Sequence, residues 1–117
     1  MDKARLVNEQ WNIVFNEFLE EMNKLFPDSP AMDIKQKLMI NKLIGGKSNI
    51  DLFLETIKGH ESELENRNDE YFFNGNVEFI KQLELDKYYK MSNGENKKTI
   101  WEYITILYQI SKVYPTL

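Results

Sequence analysis

The chain has 117 residues with no cysteine, is 42% hydrophobic and 29% charged, and carries a formal charge of −4. That length suits one domain spanning residues 1–117 and burying roughly two-thirds of its unfolded surface, and the composition is that of a globular chain, not a disordered one. The missing cysteines exclude disulfides, thiolate metal sites and cysteine nucleophiles, and the acidic balance argues against broad nucleic-acid binding, which draws its affinity from Lys and Arg.

The start, Met1-Asp2-Lys3-Ala4-Arg5, leads into no uninterrupted apolar region with a small-residue cleavage site, and no run approaches ~18 apolar residues. The expectation is therefore an intracellular protein, not secreted, with no signal peptide and no membrane span.

Val7, Trp11, Val14, Phe15, Phe18, Leu19, Met22, Leu25 and Phe26 recur at helical spacing and predict a first helix with one buried face. Pro27 disfavours helical geometry at Phe26 and stops it. Ser29-Pro30 reads as a cap followed by proline at the first helical position, opening a second helix. Ile34, Leu38 and Leu43, with Met39 or Ile44, would point inward there, and Gly45-Gly46 would end it.

Ser48 and Asp51 have the spacing of a capping-box variant, and Ile50, Phe53, Leu54, Ile57 and Leu64 form the stripe of a third helix. Gly59 weakens its second half, so residues 61–68 either prolong the helix or unravel into a link.

Asn68 or Asp69 can cap a short turn in which Tyr71, Phe72 and Phe73 are buried against the first helix. The rival reading is a short hairpin over residues 71–80, because Asn74-Gly75 between Tyr71-Phe72-Phe73 and Val77-Glu78-Phe79-Ile80 is a type I′ turn signal. A lone hairpin is marginal, and nothing else in the chain offers it a sheet.

Asn76 would cap a fourth helix carrying Val77, Ile80 and Leu83 inward, with Tyr88, Tyr89 and Met91 near its end. Thr99 and Glu102 form a Thr-x-x-Glu capping box for the last helix. Ile100, Trp101, Ile104, Leu107, Tyr108 and Ser111 lie on one side of it, and Tyr103, Ile106, Ile110 and Val113 on another. A helix apolar over most of its circumference is either central in its own bundle or offers a face to another chain. The fold class expected is all-α, a compact bundle of about five helices.

No constellation makes a convincing catalytic or metal site. His60, the sole histidine, shares a helical face with Glu63, but two ligands fall short of the three or four a zinc site needs. Ser62 or Ser111 could join His60 and an acid only on paper, without a nucleophile elbow. Gly45-Gly46-Lys47-Ser48 resembles the tail of a phosphate loop yet has Met39 or Ile40 where its first glycine belongs. Asp69 and Glu70, adjacent on a helix, would point ~100° apart, and capping a turn or pairing with Arg67 or a lysine suits them better than catalysis. Trp11 and Trp101 read as core anchors, with an interface role as the alternative. No enzyme, cofactor or small-molecule substrate is expected.

The segments Phe-Asn-Glu-Phe-Leu-Glu-Glu-Met (residues 15–22), Leu-Phe-Pro (25–27), Asn-Asp-Glu-Tyr-Phe-Phe (68–73) and Thr-Ile-Trp-Glu-Tyr-Ile-Thr-Ile-Leu-Tyr-Gln-Ile-Ser (99–111) are carried by helix-packing patterns. Together they resemble small all-helical proteins of nucleocytoplasmic large DNA viruses, over about Trp11 to Tyr114. These relatives are largely without assigned biochemical roles. The resemblance implies a viral setting, in the host cell or virion, and supplies no catalytic residue.

Two functions follow as expectations. One is a non-enzymatic protein–protein interaction or assembly protein, self-associating or binding a protein partner through Tyr103, Ile106, Ile110 and Val113. The alternative is a nucleic-acid accessory factor using a basic edge formed by Lys87, Lys90, Lys97 and Lys98 around Met91-Ser92-Asn93-Gly94-Glu95.

Overall fold

The computed structural model describes residues 3–43, 48–73 and 78–114, and the side chains within these except those of 38–43, 78 and 79. All regular structure among them is helical: α1 (Lys3–Leu25), α2 (Ala31–Leu43), α3 (Asn49–Ile57), α4 (Glu61–Glu65), α5 (Glu70–Phe73), α6 (Glu78–Leu83), α7 (Leu85–Met91) and α8 (Gly94–Val113).

The two long helices set the frame. The indole of Trp11 donates to the Leu107 carbonyl at 3.2 Å, and the Phe18 and Tyr103 rings lie 5.4 Å apart, so α1 and α8 run antiparallel. On α1, Trp11, Val14, Phe15, Phe18, Leu19 and Met22 are buried, as the helical spacing predicts. On α8 the buried set is Ile100, Trp101, Ile104, Leu107, Tyr108 and Ser111. Helices α2 and α3 also pack on α1, α3, α4 and α7 pack on α8, and α5 meets α8 where the Phe72 and Trp101 rings lie 4.9 Å apart.

Proline ends α1 where expected, and α2 begins just after Pro30, whose carbonyl accepts from the Ile34 amide at 3.0 Å. Ser29 does not cap it through its side chain, since its buried hydroxyl finds no partner. Ile34 packs against the core. The inward positions proposed at Leu38, Met39, Leu43 and Ile44, and the Gly45-Gly46 stop, lie outside the described side chains and residues. Ser48 does cap α3: its hydroxyl donates to the Asp51 carboxylate and accepts from the Asp51 amide.

One rival reading falls and three expectations change. The hairpin at 71–80 is not formed: Tyr71, Phe72 and Phe73 lie in α5 and residues 78–83 in α6, and no strand occurs among the described residues. Tyr71 and Phe72 are buried, but against Tyr89 of α7 and Trp101 of α8 and not as expected against the first helix, and Phe73 is 48% exposed; Phe72 stacks on Tyr89 at 4.1 Å, so burial of two rings outweighs the turn signal. Asn74, Gly75, Asn76 and Val77 themselves lie outside the described residues.

Second, the bundle of about five helices becomes eight among the described residues, because the central chain is cut into short pieces. Gly59 at φ 83° separates α3 from α4, Arg67 at φ 49° follows α4, and Glu84 at φ 52° separates α6 from α7. Left-handed geometry cannot continue a right-handed helix. Residues 61–65 thus neither prolong α3 nor unravel, and Leu64 is buried in a helix of its own.

Third, α8 begins at Gly94 and not near Thr99. Asn93 is the cap, its side-chain oxygen accepting from the Asn96 amide at 2.8 Å. Thr99 sits inside the helix, where its hydroxyl donates back to the Glu95 carbonyl at 3.2 Å. The two capping patterns compete, and the earlier one adds more than a turn of helix.

Fourth, Asp69 pairs with neither Arg67 nor a lysine in the described contacts; its carboxylate accepts from the Tyr89 hydroxyl and, at 3.3 Å, from the Trp101 indole. Asn68 supports the entry into α5, its side chain accepting from the Glu70 amide at 3.1 Å.

Candidate interaction face

Two apolar stripes run along α8. The first is core. The second, Tyr103, Ile106, Ile110 and Val113, is only partly covered: Ile106 is 43% and Val113 50% exposed, while Tyr103 and Ile110 are half-buried against the core. Its residues are separated by three, four and three positions, which holds one side of a helix over three turns. On α1, Ile13 and Leu6 fall on the side of the helix away from Trp11 and Phe18, which meet α8. Ile13 is 53% and Leu6 41% exposed, and they lie seven residues apart on one side of α1. Four of the large exposed apolar side chains of the described residues thus belong to the two long helices.

The Tyr103 end of this face is acidic. Burial raises the pKa of the Tyr103 hydroxyl, and the carboxylates of Glu21, Glu17, Glu102 and Glu20 raise it further. Glu20 is also held by Lys35, whose ammonium lies 2.8 Å away and lowers the Glu20 pKa. Lys112, near the other end of α8, lies on the opposite side of the helix, its ammonium 5.3 Å from the centre of the Tyr108 ring and 3.7 Å from Glu65.

The four lysines of the expected basic edge are distributed over two helices. Lys87 and Lys90 share one side of α7, with the Lys87 ammonium 5.1 Å from the centre of the Tyr88 ring. Lys97 lies 5.2 Å from the centre of the Tyr89 ring, and Lys98, the next residue of α8, projects ~100° away from it. The loop between α7 and α8 is only Ser92 and Asn93. Two of the four cations therefore lie over rings of their own chain.

Two polar clusters hold partners that the sequence alone does not bring together. In the first, the Tyr89 hydroxyl donates to Asp69 and accepts from the Trp101 indole at 3.1 Å, with Phe72 stacked on Tyr89. Burial and the Asp69 carboxylate push the Tyr89 hydroxyl up to about 12. Trp101 is thus both the core anchor expected and a hydrogen-bond donor. In the second, His60 Nδ1 lies 3.5 Å from Glu63 Oε2, and the Tyr71 ring meets His60 edge-on at 5.9 Å. Here Nδ1, Oε2 and the Tyr71 hydroxyl are buried atoms without hydrogen-bond partners in the structure. Helical spacing pairs His60 with Glu63, but nothing in it points to Tyr71. Among the described residues no three His, Asp or Glu side chains converge as metal ligands.

A cleft of about 200 Å³ opens between α1, α3 and α6, floored by Trp11, Phe15 and Phe53 and edged by Leu52. Its edge groups Asn49 and Thr56 are committed within the chain, to Asn12 at 3.1 Å and to the Phe53 carbonyl at 2.7 Å. Trp11, 1% exposed, is a core anchor. The phosphate-loop reading of 45–48 is left with Ser48 alone inside the described residues, and that hydroxyl is engaged by Asp51.

No helix among the described residues is long and apolar enough to cross a membrane. Comparison with protein families, curated proteins and solved structures returns no match to this chain.

Proposed function

We propose that this chain is a non-enzymatic protein–protein interaction or assembly protein that docks through the outer stripe of α8. One observation carries the reading: Ile106 and Val113 remain about half exposed on the same side of α8 as Tyr103 and Ile110. Covering the remaining surface of a half-exposed Ile or Val contributes roughly 1 kcal/mol per side chain, and contiguous apolar faces of this kind mark interaction sites. The setting, host cell or virion, rests on the sequence resemblance alone.

The test is association measured by light scattering and by affinity capture, with the parent chain and with Ile106→Glu and Val113→Glu. Both positions are solvent-facing, so helicity and thermal stability should be retained while association falls at least tenfold. Association unchanged in both variants would sink the reading.

The nucleic-acid alternative ranks second. It needs four lysines acting together, and two of them are laid over Tyr88 and Tyr89 in a chain of net charge −4. Binding that weakens steeply with salt and disappears when Lys87, Lys90, Lys97 and Lys98 are made neutral would restore it.

A further inference from the structure

We infer that His60, Glu63 and Tyr71 together bind a single internal water molecule that bridges α4 to α5. The site lies apart from the α8 stripe and does not depend on it.

Three polar atoms carry the inference. Six buried side-chain atoms lack a hydrogen-bond partner among the described residues, and three of them, His60 Nδ1, Glu63 Oε2 and the Tyr71 hydroxyl oxygen, belong to one cluster. Nδ1 and Oε2 lie 3.5 Å apart, and the His60 ring meets Tyr71 edge-on. The Glu63 carboxylate faces the Tyr71 hydroxyl closely enough to add to the rise in pKa that burial causes there. Tyr71 is 0% exposed, so its hydroxyl has no bulk water to turn to.

The backbone explains why the three residues meet. His60 precedes α4, and Glu63 follows three residues later on the same side. Left-handed Arg67 then turns the chain back. The Asn68 amide donates to the Glu63 carbonyl at 2.8 Å and the Tyr71 amide to the Asn68 carbonyl at 3.0 Å, which returns Tyr71 to Glu63.

Buried polar groups are almost always paired, and an internal water makes about three hydrogen bonds. One shared partner therefore suits three orphaned atoms at one place. A carboxylate only accepts, whereas a phenol and a neutral imidazole can each donate or accept. The water donates to Glu63 Oε2 and to His60 Nδ1 and accepts from the Tyr71 hydroxyl, which places the His60 proton on Nε2. A divalent cation suits the site less well, because one carboxylate among aromatic rings leaves its charge uncompensated. Helices of five and four residues hold little structure by their own ladders, so the bridge helps fix α4 against α5.

Three measurements on the full chain test the site. A high-resolution crystal structure should show one isolated density peak within about 2.7–3.2 Å of all three atoms. Imidazole 15N shifts at about pH 9, where a histidine of ordinary pKa is neutral, should place the proton on Nε2. Tyr71→Phe keeps the ring and loses the hydroxyl, and in urea unfolding its folding constant should fall about fivefold, the worth of one hydrogen bond.

A proton on Nδ1, or Nδ1 and Oε2 closing on each other with no peak between the three atoms, would replace the bridge by a direct pair and overturn the inference. A Tyr71→Phe chain as stable as the parent, or more so, would show an orphaned hydroxyl and overturn it as well. Imidazole shifts that move on treatment with EDTA would put a metal ion in the place of the water.

Discussion

Trp11 donates its indole hydrogen to the carbonyl oxygen of Leu107, joining two helices 96 residues apart in sequence. The same ring stacks on Phe15 at 4.9 Å and meets Phe53 at 5.3 Å, so one side chain ties α1 to both α8 and α3. Trp11→Phe removes the donor and leaves part of the ring volume empty, and should cost about 2–4 kcal/mol. Ile13→Ala, two residues away but 53% exposed, should change stability by less than about 0.5 kcal/mol. Urea denaturation of both variants checks the contrast; equal losses would contradict the assignment of the two faces of α1.

Alkaline pH should weaken the fold through its buried tyrosines. Tyr89 and Tyr108 are each pushed up to about 12, by burial first and then by the carboxylates of Asp69 and Glu65 that accept their protons in hydrogen bonds. Burial also raises Tyr71. A raised folded pKa means the folded state holds its proton more tightly than the unfolded one. The stabilisation is complete below the unfolded value of about 10 and is lost as pH rises toward about 12. Urea midpoints should fall between these limits, and less steeply in a Tyr89→Phe, Tyr108→Phe double variant.

Asn93 and Thr99 offer a direct test of where α8 begins. Asn93→Ala removes the acceptor of the Asn96 amide and should destabilise by about 1 kcal/mol. Thr99→Ala removes a hydroxyl that only bonds back to its own helix, and should be neutral or slightly stabilising. Thermal melts showing the opposite order would place the helix start at Thr99.

Glu84 holds left-handed backbone at φ 52° between α6 and α7. An L side chain there is strained by roughly 1–2 kcal/mol, while glycine adds back roughly 0.4–1 kcal/mol of unfolded-state entropy. Glu84→Gly should therefore raise stability by up to about 1 kcal/mol, and Glu84→Val, branched at Cβ, should lower it. A glycine variant less stable than the parent would show that the Glu84 side chain contributes contacts beyond its backbone.

Periodicity alone determined that this chain is helical and which faces of α1 and α8 are buried, because a 3.6-residue apolar spacing can hide its apolar side chains only in a helix packed against something. Proline at residue 27 and the Ser48–Asp51 pair likewise mark a helix end and a helix start by local chemistry. Tyr103, Ile106, Ile110 and Val113 could be placed on one side of the last helix by the same spacing. Their exposure could not, because it depends on how far α1 covers them, and that is set by contacts such as Trp11 with Leu107. The left-handed residues Arg67 and Glu84, which cut the middle of the chain into short helices, carry no glycine or asparagine to announce them. Asp69 found Tyr89 and Trp101, 20 and 32 residues away, instead of a neighbouring base. Local residue chemistry favours a cap or an ion pair for such an acid; only the packing of α5 against α7 and α8 brings the two ring donors to it.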